Sequence, residues 1–274
     1  MLYRRMDRAE LDAAYNNPAA VPNLAEIRAG WAERSARVRR DHADHLDLRY
    51  GTAPRERLDL FLADNPQGPT LAFIHGGYWQ MADKEGFGFI AEGVLPNGIN
   101  LALIEYTLAP EARMDQIVGE VRRAIVWLDA HLAEYGADPA QLFVAGHSAG
   151  GHLTAMTMTL GVVKGAVAIS GIYDLEPIRL NYLNEKLRLD IDEARRNSPL
   201  LLMPPMAGPL VVAYGSKELP ELCRQSVDYA QAWIEHGLSG RLLPIDGADH
   251  FMILEALADP GGELAQALLA MARG

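Results

Sequence analysis

The sequence has one cysteine, Cys223, among its 274 residues. One cysteine cannot form an intrachain disulfide, and it cannot supply the several thiolates of a structural zinc site. No apolar run approaches the roughly 18 residues of a membrane span, and the first residues contain no apolar stretch long enough for a signal peptide. We therefore expect a cytoplasmic protein that needs no metal and does not bind membranes.

Positive charge is also scarce, with 25 Lys and Arg against 36 Asp and Glu and a formal net charge of -11. Such a surface repels phosphate backbones, so a nucleic-acid partner is not expected. Residues 1–40 are the exception, with eight Arg and five acidic residues. Apolar residues recur there at helical spacing, at Leu24, Ile27, Trp31 and Val38. Acidic residues between the arginines favour a solvent-exposed helix face over a targeting or membrane-binding segment.

From residue 45 onward, short apolar runs alternate with helical patterns. Strands are predicted at 45–50, 57–63, 70–75, 100–106, 141–146, 165–170, 210–215 and 241–246, and helices at 84–98, 115–134, from about 150, 220–236 and 262–272. This alternation predicts an α/β fold with a mostly parallel eight-stranded sheet and helices on both faces. The first two strands are expected to pair as an antiparallel hairpin, and Pro244 indicates an edge position for the last strand.

One stretch, residues 171–208, interrupts this alternation because it contains no predicted strand and only short helical patterns. Insertions of this size between strands lie at the surface and often shape binding sites. We therefore expect a single domain over residues 1–274, with a cap-like insertion at 171–208 and an N-terminal helical segment at 1–42 beside it.

The strongest chemical signal is Gly-His-Ser-Ala-Gly at 146–150, which follows a predicted strand and opens a predicted helix. This is the context of the G-x-S-x-G nucleophile elbow, a sharp turn that exposes the serine oxygen. Ser148 also lies at a helix N-terminus, where free N–H groups favour negative charge. The pattern indicates that Ser148 is a catalytic nucleophile.

A second signal, His-Gly-Gly-Tyr-Trp at 75–79, directly follows the strand TLAFI. Successive glycines allow backbone N–H groups to point into a cavity without an intervening Cβ. A loop in this position supplies the second half of the oxyanion hole in hydrolases that have a nucleophile elbow. The predicted donors are the N–H groups of Gly77, Tyr78 and Ala149.

A serine hydroxyl needs a general base, and this fold places the base after the last strand. His250 is the only one of the eight histidines in that position, 102 residues after Ser148. The orienting acid is expected on the loop after the preceding strand, where Glu218 lies; Asp246 is the main alternative. His75, His147 and His152 flank the two motifs and are expected to form supporting hydrogen bonds.

HGGYW, GHSAG, the glutamate-bearing loop and the late histidine together resemble the kynurenine formamidase (arylformamidase) branch of the α/β-hydrolase fold. The segments YNNPAAVPN and EYTLAP are similar to that branch too, and the resemblance covers about residues 15–257. It implies a serine hydrolase that acts on an aryl formamide without a cofactor. Glu218 is a departure, because the characterised eukaryotic formamidases use aspartate there.

The sequence is compatible with three functions. The first is hydrolysis of an aryl formamide such as N-formylkynurenine, and the second is hydrolysis of a small aryl or alkyl ester. The third is a catalytically silent protein that binds a small molecule on a hydrolase fold. Trp79, Tyr173 and Tyr182 are expected to line a pocket for an aryl group. The fold family alone suggests a homodimer.

Overall fold

The computed structural model describes all 274 residues, and an eight-stranded sheet forms its centre. The strands are β1 (Leu48–Arg49), β2 (Arg57–Phe61), β3 (Thr70–Ile74), β4 (Asn100–Ile104), β5 (Leu142–His147), β6 (Ala166–Ile169), β7 (Leu210–Gly215) and β8 (Gly240–Ile245). Their order across the sheet is β1-β2-β4-β3-β5-β6-β7-β8. β1 pairs with β2 and β2 pairs with β4 in antiparallel fashion, and all other neighbours are parallel.

Helices cover the sheet on both faces. They are α1 (Arg8–Ala14), α2 (Asn17–Ala20), α3 (Leu24–Asp41), α4 (Ala91–Val94), α5 (Met114–His131), α6 (Ala149–Thr157), α7 (Glu176–Arg179), α8 (Asn184–Leu187), α9 (Ile191–Arg196), α10 (Pro220–Glu235), α11 (Glu255–Ala258) and α12 (Glu263–Arg273). The helices include none with the length and apolar character needed to cross a membrane.

The central strands are buried on both faces, as their continuous apolar sequences predict. Successive strand side chains point to opposite faces. In β3, Ala72 and Ile74 belong to the core beneath α5, α6 and α10, whereas Leu71 and Phe73 belong to the core beneath α3, α4, α11 and α12. The two cores hold the sheet between two helical layers. The carboxyl ends of the parallel strands all lie on the same side of the molecule.

The predicted α/β architecture, its eight strands and the antiparallel hairpin at one edge are confirmed. β8 lies at the other edge and pairs only with β7, so Pro244 occupies an edge strand as predicted. β1 is shorter than the predicted 45–50, since only Leu48 and Arg49 pair with β2.

The predicted helix at 84–98 is a mixed segment in the structure. A 3₁₀ stretch, Lys84–Ile90, precedes α4, and a second 3₁₀ turn, Leu95–Asn97, ends at the left-handed Gly98. Glycines lower the helix propensity of this segment, and one of them has a packing role. A Cβ at Gly88 would lie 3.1 Å from the Cα of Ser35, so the glycine allows α3 to approach closely.

The N-terminal segment packs on the rest of the chain through its apolar side. In α3, Leu24, Trp31 and Val38 are buried in the core of that face. Its charged side is not simply solvated, because Arg34 forms ion pairs with Glu92 and Glu255. The segment also contacts residues 171–208, which contain α7, α8, α9 and a 3₁₀ turn.

Candidate active site

Ser148 lies on the sharp turn between β5 and α6, with φ 58° and ψ -117°. This backbone conformation is strained for a residue with a side chain. The flanking glycines make the turn sterically feasible. A Cβ at Gly146 would collide with the carbonyl oxygen of Gly150, and a Cβ at Gly150 would collide with the carbonyl oxygen of Ile74. The local sequence therefore determines where the serine oxygen is presented.

Hydrogen bonds connect Ser148 to two side chains that lie at the carboxyl ends of β7 and β8. His250, on the loop after β8, places Nε2 3.0 Å from Ser148 Oγ. Its Nδ1 lies 2.7 Å from Glu218 Oε2, on the turn after β7. All three residues are at least nine-tenths buried, which shields these contacts from water. The structure thus brings together the three residues that the sequence singled out.

Glu218 is itself held in place by two donors. Its Oε1 accepts hydrogen bonds from the Gly215 N–H and the Ser170 hydroxyl, both at 2.6 Å. The alternative acid, Asp246, is exposed and accepts a 3.2 Å hydrogen bond from the Ser216 hydroxyl instead. The carboxylate in contact with the imidazole is therefore that of Glu218.

His147 contacts the residue that carries the catalytic imidazole, His250. Its Nε2–H donates to the His250 carbonyl oxygen at 2.6 Å, and the two rings lie 4.7 Å apart. Burial, followed by the nearby His250, lowers the pKa of His147 well below its usual range. His147 is therefore neutral and acts as a donor to the backbone of the loop that carries His250.

The loop at 76–79 lies directly against Ser148. A Cβ at Gly76 would be 3.1 Å from the Ser148 Cβ, and Gly77 has φ 107°, where a side chain would collide with the Met81 carbonyl. The N–H groups of Gly77 and Tyr78 donate to no acceptor within the chain. Free donors beside a serine oxygen form an arrangement that can bind an anion.

His75 holds this loop in position. Its Nδ1–H donates to the Gly76 carbonyl at 2.8 Å, and its Nε2 lies 3.1 Å from the buried Glu105 carboxylate. The C=O and N–H of a trans peptide unit point in opposite directions, so this bond directs the Gly77 N–H away from His75. Burial opposes the ionisation of Glu105, but the His75 hydrogen bond and the charges of His75 and Arg55 outweigh burial and lower its pKa.

The Trp79 side chain contacts His152 of α6. It is fully buried, and its indole N–H donates to His152 Nδ1 at 3.2 Å. Because the indole is only a donor, His152 carries its proton on Nε2 and donates it to the Asn197 carbonyl at 2.7 Å. Burial lowers the pKa of His152 to about 4. This contact links the loop at 76–79 to α6 and to residues 171–208.

A cavity of about 320 Å³ opens beside Ser148. Its aromatic lining comes from Trp31, Tyr78, Phe87 and Phe251. The prediction that Trp79, Tyr173 and Tyr182 line this space is wrong. Tyr173 is fully buried and stacks on Tyr229 with ring centroids 4.2 Å apart, and half-buried Tyr182 lies against the N-terminal segment through Asp12.

The N-terminal segment contributes five lining residues that the sequence patterns did not place at the site, namely Asn17, Pro18, Arg28, Trp31 and Ala32. Arg28 is exposed, lies 5.6 Å above the Phe251 ring, and forms no ion pair. One sequence signal was available, because YNNPAAVPN already carried part of the family resemblance. The apolar spacing through Trp31 also indicated a packed helix face, but neither pattern specified which cavity that face would reach.

Comparisons with known proteins agree with this architecture. The BD-FAE family model matches residues 58–167. The kynurenine formamidase of Danio rerio is 32% identical, with 98% of each chain covered, and that of Salmo salar is 36% identical, with 82% of this chain and 81% of the relative covered. A solved structure of a candidate thioesterase from Silicibacter sp. TM1040 is 31% identical, has a TM-score of 0.84, and covers 95% of this chain and 99% of its own. Esterase structures of lower identity share the fold.

Proposed function

The chain belongs to the kynurenine formamidase family of α/β-hydrolases, and from this membership we propose that it hydrolyses N-formylkynurenine or a closely related aryl formamide, with Ser148 as nucleophile. The observation that carries the mechanism is the chain of hydrogen bonds from Ser148 through His250 to Glu218. Hydrolase activity follows from membership of this family. The serine mechanism and the role of each residue in it are what we propose.

In the first step, Ser148 Oγ attacks the formyl carbon while His250 Nε2 accepts the hydroxyl proton. Glu218 keeps the other imidazole proton on Nδ1, which leaves Nε2 free to act as base, and it stabilises the imidazolium that forms. The Ser170 and Gly215 donors hold the carboxylate in this position. The nucleophile is thus activated by the geometry of two loops at the carboxyl ends of β7 and β8.

The attack moves negative charge onto the formyl oxygen. The N–H groups of Gly77 and Tyr78, together with that of Ala149 at the start of α6, are the proposed donors to this oxygen. Because they are already fixed by the loop at 76–79 and by the helix, they need no reorganisation during the reaction. Loss of one such donor typically costs about 2.7–4 kcal/mol of transition-state stabilisation.

The tetrahedral intermediate then collapses. The C–N bond breaks, His250 gives its proton to the departing arylamine nitrogen, and a formyl ester on Ser148 remains. A water molecule, deprotonated by His250, attacks this ester, and the second collapse returns the proton to Ser148 and releases formate. The balanced reaction converts an aryl formamide and water into an arylamine, formate and a proton.

The cavity supports an aromatic, anionic substrate. Trp31, Phe87 and Phe251 supply flat apolar walls for an aryl ring. Arg28 is the only Lys or Arg among the residues that line the cavity, and no carboxylate of the protein pairs with it. A guanidinium without a partner is suited to bind a carboxylate, the group that the amino-acid part of N-formylkynurenine carries.

Hydrolysis of a small ester is the second candidate, favoured by the esterases that share the fold. The same Ser148 chemistry serves both, so the substrates must be compared directly. Side-by-side assays of N-formylkynurenine and p-nitrophenyl acetate are expected to give the larger kcat/KM for the formamide. Formamide turnover far below ester turnover would reject the first candidate in favour of the second.

Catalytic silence, the third function left open by the sequence, has its own test. A fluorophosphonate probe is expected to label Ser148, because the probe reacts with activated serines. Absence of labelling in the folded protein would favour a binding role.

A further inference from the structure

The loop at 75–84, which contains the proposed oxyanion donors, holds three residues other than glycine in left-handed backbone. Tyr78, Trp79 and Ala82 have φ values of 52°, 58° and 77°. This conformation is unfavourable for a residue with a Cβ, and it persists only where the surrounding structure enforces it. The contacts that hold this loop therefore bear directly on where its N–H groups point.

One buried carboxylate, that of Glu105, contacts both ends of the loop. Glu105 directly follows β4 and is fully buried. Its Oε1 lies 3.1 Å from His75 Nε2, at the start of the loop, and its Oε2 accepts a 3.1 Å hydrogen bond from the Lys84 N–H, at the end. Oε1 also accepts a hydrogen bond from the Tyr106 N–H at 3.0 Å. Both oxygens are thus needed to hold the two ends.

Arg55 connects the same carboxylate to the middle of the loop. Its Nη2 donates to Glu105 Oε1 and to the Ala82 carbonyl oxygen, both at 2.7 Å. Ala82 is one of the three residues with left-handed backbone, and it lines the cavity beside Ser148. Glu105 and Arg55 therefore hold the start, the middle and the end of the loop.

The contact with His75 reaches the oxyanion hole through a single peptide unit. His75 Nδ1–H donates to the Gly76 carbonyl oxygen, and the N–H of that same peptide unit is the proposed Gly77 donor. Two aromatic rings stack on the imidazole, with centroids 4.3 and 5.8 Å away. They fix the plane of the imidazole, and Glu105 fixes where its nitrogens lie within that plane.

We propose that Glu105 is a positioning residue of the oxyanion hole. By holding both ends of the loop at 75–84, it keeps the N–H groups of Gly77 and Tyr78 directed at the oxygen that becomes negative. Glu105 does not line the cavity, so its effect falls on transition-state stabilisation and not on substrate affinity. This inference rests on the proposed serine mechanism of the same site, and it applies to formamides and esters alike.

The test is Glu105→Gln, assayed with N-formylkynurenine and with p-nitrophenyl acetate. An amide has only one acceptor oxygen, so the variant can accept hydrogen bonds at one end of the loop but not at both. It is expected to lower kcat for both substrates by about ten- to hundred-fold, less than the 10²–10³-fold typical of a donor removed outright, and to change KM by less than about two-fold.

The matched control is Glu193→Gln on α9. Glu193 is also buried, and it too uses both oxygens, one for Arg113 and one for the Asp115 N–H, but it does not line the cavity. Removing either buried charge leaves an arginine without its partner, so both variants are expected to lower Tm. Only Glu105→Gln is expected to lower kcat. Equal kcat losses in the two variants, or a raised KM with an unchanged kcat in Glu105→Gln, would overturn the inference.

Arg55→Met is a second variant in case Glu105→Gln does not fold. The Arg55 side chain is one-third exposed, so its removal disturbs the interior less. This variant is expected to lower kcat by about five-fold, the effect of one hydrogen bond of average strength. A wild-type kcat in folded Arg55→Met would then overturn the inference.

The outcomes also separate this inference from the function it rests on. If the wild type hydrolyses p-nitrophenyl acetate but not N-formylkynurenine, the formamidase function fails, and a loss of kcat on the ester in Glu105→Gln still supports the inference. If the wild type hydrolyses both and Glu105→Gln keeps the wild-type kcat, only the role of Glu105 is wrong. If the wild type hydrolyses neither, both fail.

Discussion

The buried His152 makes the stability of the protein depend on pH in a way that can be calculated. Its pKa is about 4 in the folded protein, against 6.5 for an ordinary histidine, because burial penalises the charged ring. Below pH 6.5 the unfolded chain takes up a proton at this residue, whereas the folded protein does not until about pH 4. The unfolded state therefore binds more protons in this window, and stability falls as the pH is lowered.

The size of the effect follows from the gap between the two values. Each pH unit is worth 1.36 kcal/mol, and by pH 5 about 1.5 units of the window have been crossed. His152 is therefore expected to lower the free energy of unfolding by about 2 kcal/mol between pH 7.5 and pH 5. Below pH 4 the loss levels off near about 3.4 kcal/mol.

Denaturant unfolding of the wild type and of His152→Gln at the two pH values isolates this contribution. Glutamine does not titrate, and its amide can still donate towards the Asn197 carbonyl. Other groups, including His147, titrate equally in both proteins, so the wild type is expected to lose about 2 kcal/mol more than the variant. An identical loss in both proteins would refute the burial argument for His152.

Two further predictions concern the site itself. Glu218→Gln is expected to lower kcat by about 10³–10⁴ with the fold intact, since the amide no longer holds the productive tautomer of His250, whereas Asp246→Asn leaves kcat unchanged; steady-state assays of both variants check this, and a large loss in Asp246→Asn alone would reassign the acid. Arg28→Met is expected to raise KM for N-formylkynurenine about ten-fold and to leave KM for formanilide, which has no carboxylate, unchanged. The matched control is Arg40→Met, because Arg40 lies on the same helix, is exposed and forms no ion pair. Equal effects of the two variants would refute carboxylate binding by Arg28.

The sequence located the reactive residues because their constraints are local. Gly146 and Gly150 are required by collisions within one strand–turn–helix unit, so Ser148 could be identified without a three-dimensional structure. His250 and Glu218 followed from the order of strands, which the apolar runs reveal. The structure brings these residues together as that order predicts.

The substrate cavity could not be predicted in the same way. Trp79 adjoins the glycine loop in sequence, but its positive φ of 58° belongs to a turn that sends the indole towards His152. Tyr173 is drawn into a stack with Tyr229 on α10. Sequence proximity to a motif carries no information about side-chain direction, so both aromatic assignments failed.

The residues that do line the cavity arrive by long-range packing. Arg28 and Trp31 reach it because α3 packs against the 3₁₀ segment that follows the glycine loop, an approach allowed by Gly88. The helical spacing of residues 24–38 predicted an apolar face but not its partner. That partner depends on the folded positions of two segments about 50 residues apart.

The most direct test of the central claim is the rate of N-formylkynurenine hydrolysis by the wild-type protein and by Ser148→Ala, with folding of the variant checked by its thermal unfolding. The account predicts stoichiometric release of formate and arylamine by the wild type and loss of that turnover in the variant. Turnover by a folded Ser148→Ala protein at the wild-type rate would contradict it.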